Sequence, residues 1–265
     1  MGVFLSPAAL AFDAMASNFD AKFDPLLSVA AQRAAVRKEL LAAFPAGSRL
    51  LEIGGGTGTD AAWLLGNGRD AYVTDASPKM IAEAARKVGL ERVEAIAAED
   101  LGNLADRGQR FDGAFSNFAA LNCVRDLAPV GAALGRLVRP GGELVLVLFG
   151  TWSPGESIVE AARGRFTACF RRLKKGPVPA SLRGRKFKVR YYRRRDIEHA
   201  MAPHFRLVGK KAIGLFVPPS AAEPWISRHP RVLSVLEALD TVLARPLAAF
   251  GDHVLYRFER TGALE

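Results

Sequence analysis

Residues 50–60 read Leu-Leu-Glu-Ile-Gly-Gly-Gly-Thr-Gly-Thr-Asp. The apolar segment 49–53 runs into four glycines within five positions, and a helical pattern begins at residue 60. Glycines at such a junction let the backbone turn tightly and approach a ligand, with the N–H groups of the helix directed at it. The stretch therefore predicts a strand, a ligand-binding loop and a helix. The alternative is that the glycines only form a tight turn.

The alternation of strand and helix continues along the chain. Strand-like segments lie at 49–53, 71–74, 93–97, 111–116, 143–149, 205–215 and 253–260. Helix-like segments lie at 60–65, 79–88, 101–106 and 127–138, and residues 1–45 are also helix-like. Strands alternating with helices at this pitch predict right-handed β-α-β units and a mainly parallel sheet with both faces covered.

Composition predicts a globular protein. The chain has 265 residues, 49% of them hydrophobic, and only two cysteines, so a disulfide framework is not expected. No apolar run approaches the ~18 residues of a spanning helix. Residues 1–17 lack a basic leader and Asp13 interrupts their apolar stretch, so we expect no secretory signal there. The two cysteines make a reducing cytoplasm the expected location. The four histidines are scattered, and we expect no metal site.

The net charge of +10 is concentrated in one segment. Residues 163–195 contain 14 Lys and Arg and no Asp or Glu, interleaved with aromatic residues, so the rest of the chain carries about −4. Such a segment could bind an RNA backbone, an anionic membrane surface, or a phosphate or carboxylate on a small acceptor. It could also be a solvated loop, which Pro177 and Pro179 indicate.

The glycine spacing discriminates among ligands. A dinucleotide fingerprint starting at Gly54 or Gly56 would require glycine at Thr59 or Ala61, and no Gly-Lys-Ser/Thr phosphate loop is present. The acid-x-Gly-x-Gly-x-Gly pattern from Glu52 to Gly58 resembles motif I of class I S-adenosylmethionine-dependent methyltransferases. The resemblance implies S-adenosyl-L-methionine as cofactor and S-adenosyl-L-homocysteine as product. It also implies an α/β, Rossmann-like three-layer sandwich with a mainly parallel seven-stranded sheet whose last strand is antiparallel.

Further matches follow in the order of that family. Asp75 ends the second strand, where a carboxylate binds the ribose hydroxyls, although Asp75 or Ser77 could instead cap the next helix. Glu99 and Asp100 follow the third strand at the adenine position, and either could face the adenine. The fourth strand ends in a motif IV-like stretch, 116–122. The predicted cofactor-binding residues are Phe19, Glu52, Gly54, Gly55, Gly56, Gly58, Asp60, Asp75, Ala76, Ser77, Met80, Glu99, Asp100, Leu101, Ser116, Asn117 and Phe118.

The whole chain, 1–265, is expected to be one methyltransferase domain. Residues 1–45 resemble the family's helical lid, with Phe19 where the family often has tyrosine, although they could merely pack on the sheet. Residues 46–150 form the cofactor-binding core. Residues 151–195 form the basic insertion, and 196–265 form the substrate side.

Methyl transfer from a sulfonium depends on alignment and desolvation, and a general base helps with a hydroxyl or protonated amine acceptor. The catalytic candidates are His253 and Asn122; a structural histidine and a backbone-bonded asparagine are the alternatives. The apolar stretch 212–219 suggests a wall of the acceptor pocket. The predicted substrate residues are Arg171, Arg172, Tyr191, Tyr192 and Trp225.

Three functions are compatible with these patterns. The first is transfer of a methyl group to O or N of a small, anionic or amphiphilic metabolite, including a lipid-like one. The second is RNA methylation through the basic 163–195 segment. The third is a non-catalytic cofactor-binding protein of the same fold. The first is favoured because no separate RNA-binding module is recognisable and the cofactor motifs are intact, although peripheral membrane contact remains compatible with it.

Overall fold

The computed structural model describes residues 5–262, so residues 1–4 of the predicted lid and 263–265 lie outside it. A seven-stranded sheet has the strand order β3-β2-β1-β4-β5-β9-β8. Its strands are β1 (Arg49–Ile53), β2 (Asp70–Asp75), β3 (Val93–Ala95), β4 (Phe111–Ser116), β5 (Val138–Phe149), β8 (Phe205–Ile213) and β9 (His253–Arg260). The strands from β3 to β5 pair in parallel, whereas β9 is antiparallel to β5 and to β8. The predicted sheet, with only its last strand reversed, is confirmed.

Helices lie on both faces of this sheet. They are α1 (Pro7–Asp13), α2 (Phe19–Phe23), α3 (Leu27–Ala43), α4 (Thr59–Gly66), α5 (Pro78–Val88), α6 (Gly102–Asp106), α7 (Ala128–Leu137), α8 (Pro154–Ala162), α9 (Arg194–Met201) and α10 (Pro230–Leu243). No helix within residues 5–262 is long and apolar enough to cross a membrane.

The core is divided by the sheet because successive strand residues point to opposite faces. Leu51 packs in a cluster with side chains of α6, α7 and α9, whereas Leu50 packs in a second cluster with α3. In β5, Leu146 joins the first cluster and Val147 the second. Burial of both faces explains the uninterrupted apolar run of this strand, and the predicted three-layer sandwich is confirmed.

Residues 151–195 are not a loop, which corrects the interpretation of their prolines. They contain α8 and a two-stranded hairpin of β6 (Pro177–Leu182) and β7 (Arg185–Arg190). Pro177 and Pro179 lie in β6, because a strand with a free edge tolerates residues that cannot donate a ladder hydrogen bond. The turn places Arg183 and Gly184 at φ values of 47° and 78°.

Candidate cofactor and acceptor site

The glycine loop after β1 adopts left-handed backbone conformations, with φ of 65° at Gly54, 56° at Gly56 and 73° at Gly58. A Cβ on Gly54 would lie 2.4 Å from the Cβ of Ala120, and one on Gly58 would lie 2.9 Å from the Cβ of Ala84. These two glycines therefore allow close packing of the loop. A Cβ on Gly56 would meet no atom within 4 Å, so this glycine borders open space in which a ligand can lie.

Asp75, at the end of β2, holds the loop from the neighbouring strand. Its Oδ2 accepts a hydrogen bond of 3.0 Å from the Gly56 amide, and its Oδ1 accepts one of 2.8 Å from the Ser77 amide. Ser77 caps α5, since its hydroxyl accepts from the Met80 amide at 3.1 Å. Asp75 is thus not the cap, and its two oxygens retain lone pairs for further donors such as ribose hydroxyls. Burial raises the pKa of this carboxyl, although the two backbone donors oppose the shift.

Glu52 lies beneath the loop and is only 2% exposed. Its Oε2 has no hydrogen-bond partner among the described residues. Burial, and then the nearby charge of Asp60, raise its pKa well above the ordinary value, while the Arg33 cation opposes this. The fold therefore holds a buried carboxyl that is costly in its charged form.

Replacing Glu52 with Gln is expected to stabilise the protein at neutral pH by about 1–3 kcal/mol, because the neutral amide has no charge to desolvate. The pKa of Glu52 is higher in the folded than in the unfolded protein. Its contribution to the free energy of unfolding is therefore fully present below the pKa of the unfolded state, and it is lost as the pH rises through the pKa of the folded state. Urea unfolding of both proteins between about pH 5 and about pH 8 should show their difference growing with pH.

The matched control is Glu94→Gln. The pKa of Glu94 is lowered despite partial burial, chiefly by hydrogen bonds from Arg107 and Tyr72, so this carboxylate favours folding at higher pH and the substitution should destabilise there. A Glu52→Gln protein that is destabilised at every pH would contradict the assignment of Glu52 as a strained buried acid.

The predicted adenine end lies after β3. Glu99 and Asp100 are exposed in a short 3-10 turn, whereas Leu101 is fully buried in the core. The Cys123 thiol has its pKa raised to about 12, first by burial and then by the charges of Asp75 and Glu99. The charge of Glu99 thus acts on Cys123, which lines a cavity at this end of the site and which no sequence pattern indicated.

Side chains of the motif IV-like stretch hold the strand ends together. The Ser116 hydroxyl donates to the Ile53 carbonyl at 2.8 Å, and Asn117 Nδ2 donates to Asp60 Oδ2 at 2.7 Å. Asp60 also accepts from Arg37 Nε at 2.9 Å. These bonds engage the side chains of Ser116, Asn117 and Asp60 within the protein and position the loop. Cofactor binding by these three residues stays a prediction.

Two carboxylates attach the N-terminal helices to this loop and to α5. Asp20 Oδ1 accepts from the Thr57 hydroxyl at 2.6 Å, and Asp20 Oδ2 pairs with Lys87 Nζ at 2.6 Å. Asp13 Oδ1 accepts from the Ser77 hydroxyl at 3.0 Å. The segment that resembles a lid thus lies directly over the glycine loop.

Phe19 belongs to an aromatic cluster within these helices. Its ring centroid lies 6.4 Å from that of Phe12 and 4.8 Å from that of Phe23. Phe12 in turn contacts Phe187 of β7 at 5.9 Å, so the N-terminal helices also meet the hairpin.

Arg33 of α3 is a cation of the site that sequence reasoning missed. Its guanidinium carbon lies 5.1 Å from the ring centroid of Phe118, and Nη1 lies 3.6 Å from Asp60 Oδ1. Its charge also acts on Glu52. Helix α3 carries no motif, and only the packing of this helix on the sheet brings Arg33 to the loop.

A row of rings leads away from Phe118 towards the hairpin. The centroid of His253 lies 5.8 Å from that of Phe118 and 4.8 Å from that of Phe149, which lies 5.8 Å from Tyr191. His253 is 6% exposed, and its Nδ1 lies 3.4 Å from Asp252 Oδ2. Burial lowers the pKa of His253 although Asp252 opposes the shift, so the imidazole is neutral at pH 7. We name Phe118, His253, Phe149 and Tyr191 the aromatic row.

Asn122 has a backbone-bonding role. It is fully buried, its Nδ2 donates to the Arg190 carbonyl at 2.6 Å, and its Oδ1 accepts from the Phe149 amide at 3.0 Å. These bonds join the end of β5 to the hairpin and occupy both ends of the amide. These are the contacts expected of a backbone-bonded asparagine, and a catalytic role for Asn122 stays a prediction.

The predicted acceptor-binding arginines are engaged within the protein. Arg172 is 5% exposed; it pairs with Glu156, and its Nη2 lies 2.5 Å from Asp252 Oδ1. Arg171 pairs with the other oxygen of Glu156. These cations neutralise buried carboxylates, and the Arg171 side chain is 43% exposed. Acceptor binding by these two arginines stays a prediction.

Two other predicted acceptor residues are also elsewhere. The Tyr192 hydroxyl donates to the Val124 carbonyl at 2.6 Å in the core, and Trp225 is 54% exposed and packs on His229. Most apolar side chains of residues 212–217 are buried against α3 and α10 rather than lining a pocket. Of the five predicted residues, only Tyr191 lies on the aromatic row.

Comparison with known proteins agrees with this geometry. Residues 50–142 match the family of methyltransferase domains. A demethylmenaquinone methyltransferase of Beutenbergia cavernae is 34% identical over 157 residues, which cover 56% of this chain and 60% of that relative. The chain thus spans less than two thirds of the length of this relative.

Solved methyltransferases share the fold at low identity. The 1,6-didemethyltoxoflavin-N1-methyltransferase of Burkholderia thailandensis, solved with S-adenosylhomocysteine, has a TM-score of 0.54 and 20% identity, covering 99% of this chain and 93% of that one. An S-adenosylmethionine-dependent methyltransferase of Mesorhizobium loti has a TM-score of 0.51 and 19% identity, covering 84% and 96%.

Residues 50–142 therefore match the methyltransferase domain family, and the chain has the class I, Rossmann-like fold of the solved methyltransferases. The resemblance found in the sequence is confirmed at this level. S-adenosyl-L-methionine is the methyl donor of this class of domain.

Proposed function

We propose that the chain is an S-adenosylmethionine-dependent methyltransferase that acts on O or N of a small, anionic or amphiphilic metabolite. The observation that carries the proposal is the open space over Gly56, whose amide is held by the Asp75 carboxylate. Within this proposal, residues 1–45 act as a lid, and the chain works as one domain. Two unpaired cysteines, Cys123 and Cys169, are compatible with a cytoplasmic location.

The residues present fit the cofactor. The remaining lone pairs of Asp75 would accept the ribose hydroxyls, Gly56 would let the ligand lie against the backbone, and Glu99 with Cys123 would border the adenine. Arg33 is the cation suited to the carboxylate of the cofactor. When bound, S-adenosylmethionine supplies a methyl group already activated by its sulfonium. The lid formed by residues 1–45 would exclude water from it.

A cavity beside this site supports a small acceptor. It has a volume of about 540 Å³ and lies between the turn after β4 and the hairpin, next to Cys123. Its lining includes Arg125, Lys188 and Arg190, none of which is within ion-pair distance of a carboxylate in the described residues. Three cations beside apolar walls favour an acceptor with an anionic group. The demethylmenaquinone methyltransferase name of the B. cavernae relative supports an amphiphilic acceptor.

We propose His253 as the general base, because it is neutral at pH 7 and lies against Phe118 at the end of β4. His253→Ala is expected to lower kcat about 100-fold with the acceptor identified below. Since burial lowers the pKa of His253, the wild-type rate should fall only below pH 6.5, and the variant should lack this acidic limb. An unchanged pH profile would leave His253 a structural residue.

The function is tested by incubating the full chain with methyl-labelled S-adenosylmethionine and fractionated cell extract. We expect the label to appear in a small-molecule fraction. The labelled product should be retained by an anion-exchange column or be extracted into organic solvent. Label in bulk RNA would instead establish the alternative function, RNA methylation. No incorporation, together with no calorimetric binding of S-adenosylhomocysteine, would refute the proposal.

A further inference from the structure

Four large apolar side chains are exposed together on the insertion. Ile158, Phe166, Phe170 and Leu173 are 54–69% exposed. We name these four residues the apolar patch. Surface patches of contiguous large apolar groups mark sites of interaction rather than ordinary protein surface.

Hydrogen bonds join the segments that carry Ile158, Phe170 and Leu173. The Ser157 hydroxyl donates to the Cys169 carbonyl at 3.1 Å, and Cys169 Sγ donates to the Ser157 carbonyl at 3.3 Å. The segments that carry Ile158 and Phe170 therefore lie side by side. The Leu173 amide donates to the Phe170 carbonyl at 3.1 Å, and this three-residue turn directs both side chains to one side.

Cations border the patch. Lys174 and Lys175 follow Leu173 directly, both are exposed, and neither forms an ion pair within residues 5–262. Arg163 is exposed between Ile158 and Phe166. Apolar side chains that enter the acyl boundary, with lysines or arginines level with the headgroups, are the features of a surface that binds anionic lipid.

The composition of the patch favours a bilayer over RNA. Bases of single-stranded nucleic acid stack on flat rings, which Phe166 and Phe170 provide, but the aliphatic side chains of Ile158 and Leu173 provide no such surface. Both aliphatic side chains can instead be buried among lipid chains.

Arg172 anchors the patch beside the candidate acceptor end. Arg172, which lies between Phe170 and Leu173, is buried and bonds the Gly150 carbonyl, the Asp252 carbonyl and the Asp252 carboxylate. Asp252 precedes His253 of the aromatic row. A surface that contacts Ile158, Phe166, Phe170 and Leu173 would therefore lie next to the acceptor end of the site.

We propose that the apolar patch, with Lys174 and Lys175, docks on an anionic lipid bilayer. Membrane docking is a property beyond methyl transfer, and the proposal depends only on the exposed residues of this surface. The full chain should co-sediment with vesicles of phosphatidylcholine and phosphatidylglycerol, and bind vesicles of phosphatidylcholine alone at least about tenfold more weakly.

Two patch variants test the assignment. Ile158→Ser with Phe170→Ser, and separately Lys174→Glu with Lys175→Glu, should each weaken the partitioning at least about tenfold. The matched control is Val235→Ser with Val242→Ser on α10, whose side chains are 61% and 72% exposed but lie on a different element. This control should bind vesicles like the wild type.

The proposal is overturned if the wild type does not bind anionic vesicles or if the patch variants bind them as well as the wild type. It is likewise overturned if the α10 variant loses as much vesicle binding as the patch variants. It is also overturned if the wild type binds bulk RNA and not vesicles, and the patch variants lose this RNA binding. Calorimetry with S-adenosylhomocysteine on the same proteins separates this test from the proposed function, because the patch variants should keep cofactor binding.

Discussion

Replacing Asp75 with Ala is expected to weaken the binding of S-adenosylhomocysteine at least about 100-fold, as measured by calorimetry. Each hydrogen bond from a ribose hydroxyl to a carboxylate contributes about 1.5–3 kcal/mol, and the proposed pair would both be lost. The substitution also removes the acceptor for the Gly56 and Ser77 amides, so the loop itself loses support.

The matched control is Asp112→Ala. Asp112 accepts from the Arg49 amide at 2.8 Å, so it too is an aspartate that bonds a backbone amide, but at the start of β1, the end of that strand opposite the glycine loop. The Asp112→Ala substitution should lower the free energy of unfolding without weakening cofactor binding. If the wild type and the Asp75→Ala protein bind S-adenosylhomocysteine with equal affinity, the placement of the cofactor site at this edge of the sheet is contradicted.

The same carboxylate predicts a pH dependence. Because burial raises the pKa of Asp75 above its ordinary value of 3.8, the carboxylate is protonated at a higher pH than an exposed aspartate. Binding of S-adenosylhomocysteine should therefore begin to weaken on acidification above pH 3.8, while the protein is still folded by circular dichroism.

Replacing Gly56 with Val is expected to abolish cofactor binding, with an affinity loss of about 100-fold or more. The side chain would enter the open space beside the loop, where the cofactor is proposed to lie. A β-branched residue at a φ of 56° also costs about 1–3 kcal/mol of stability.

Gly141→Val separates the two effects. Gly141 has a φ of 77°, and a Cβ there meets no atom within 4 Å, but it lies in the turn of β5 far from the glycine loop. Both variants should lose a similar free energy of unfolding in urea, and only Gly56→Val should lose binding of S-adenosylhomocysteine. Retained binding in Gly56→Val would show that the space over this glycine is not the ligand site.

Local patterns predicted the sheet and the scaffold of the loop well. The apolar runs of β1 and β5, the glycine spacing and the acid at Asp75 are features of adjacent residues. β1 forms where its pattern predicts, whereas β5 spans Val138–Phe149 and so begins before the predicted segment 143–149. Patterns of charge and aromaticity in 163–195 were less informative. Arg172 and Tyr192 looked suited to an acceptor, but both are buried by contacts with residues far away in the chain.

The amino-acid sequence by itself determined the order of strands and helices, the class of domain and the position of its ligand-binding loop. These depend on hydrophobic period and backbone freedom, which neighbouring residues carry. Only the tertiary structure decided which polar groups are available, because a carboxylate such as Glu156 neutralises an arginine only after folding brings them together. It also decided that His253 joins the aromatic row and that Arg33 reaches the loop, since both contacts join elements widely separated in the chain.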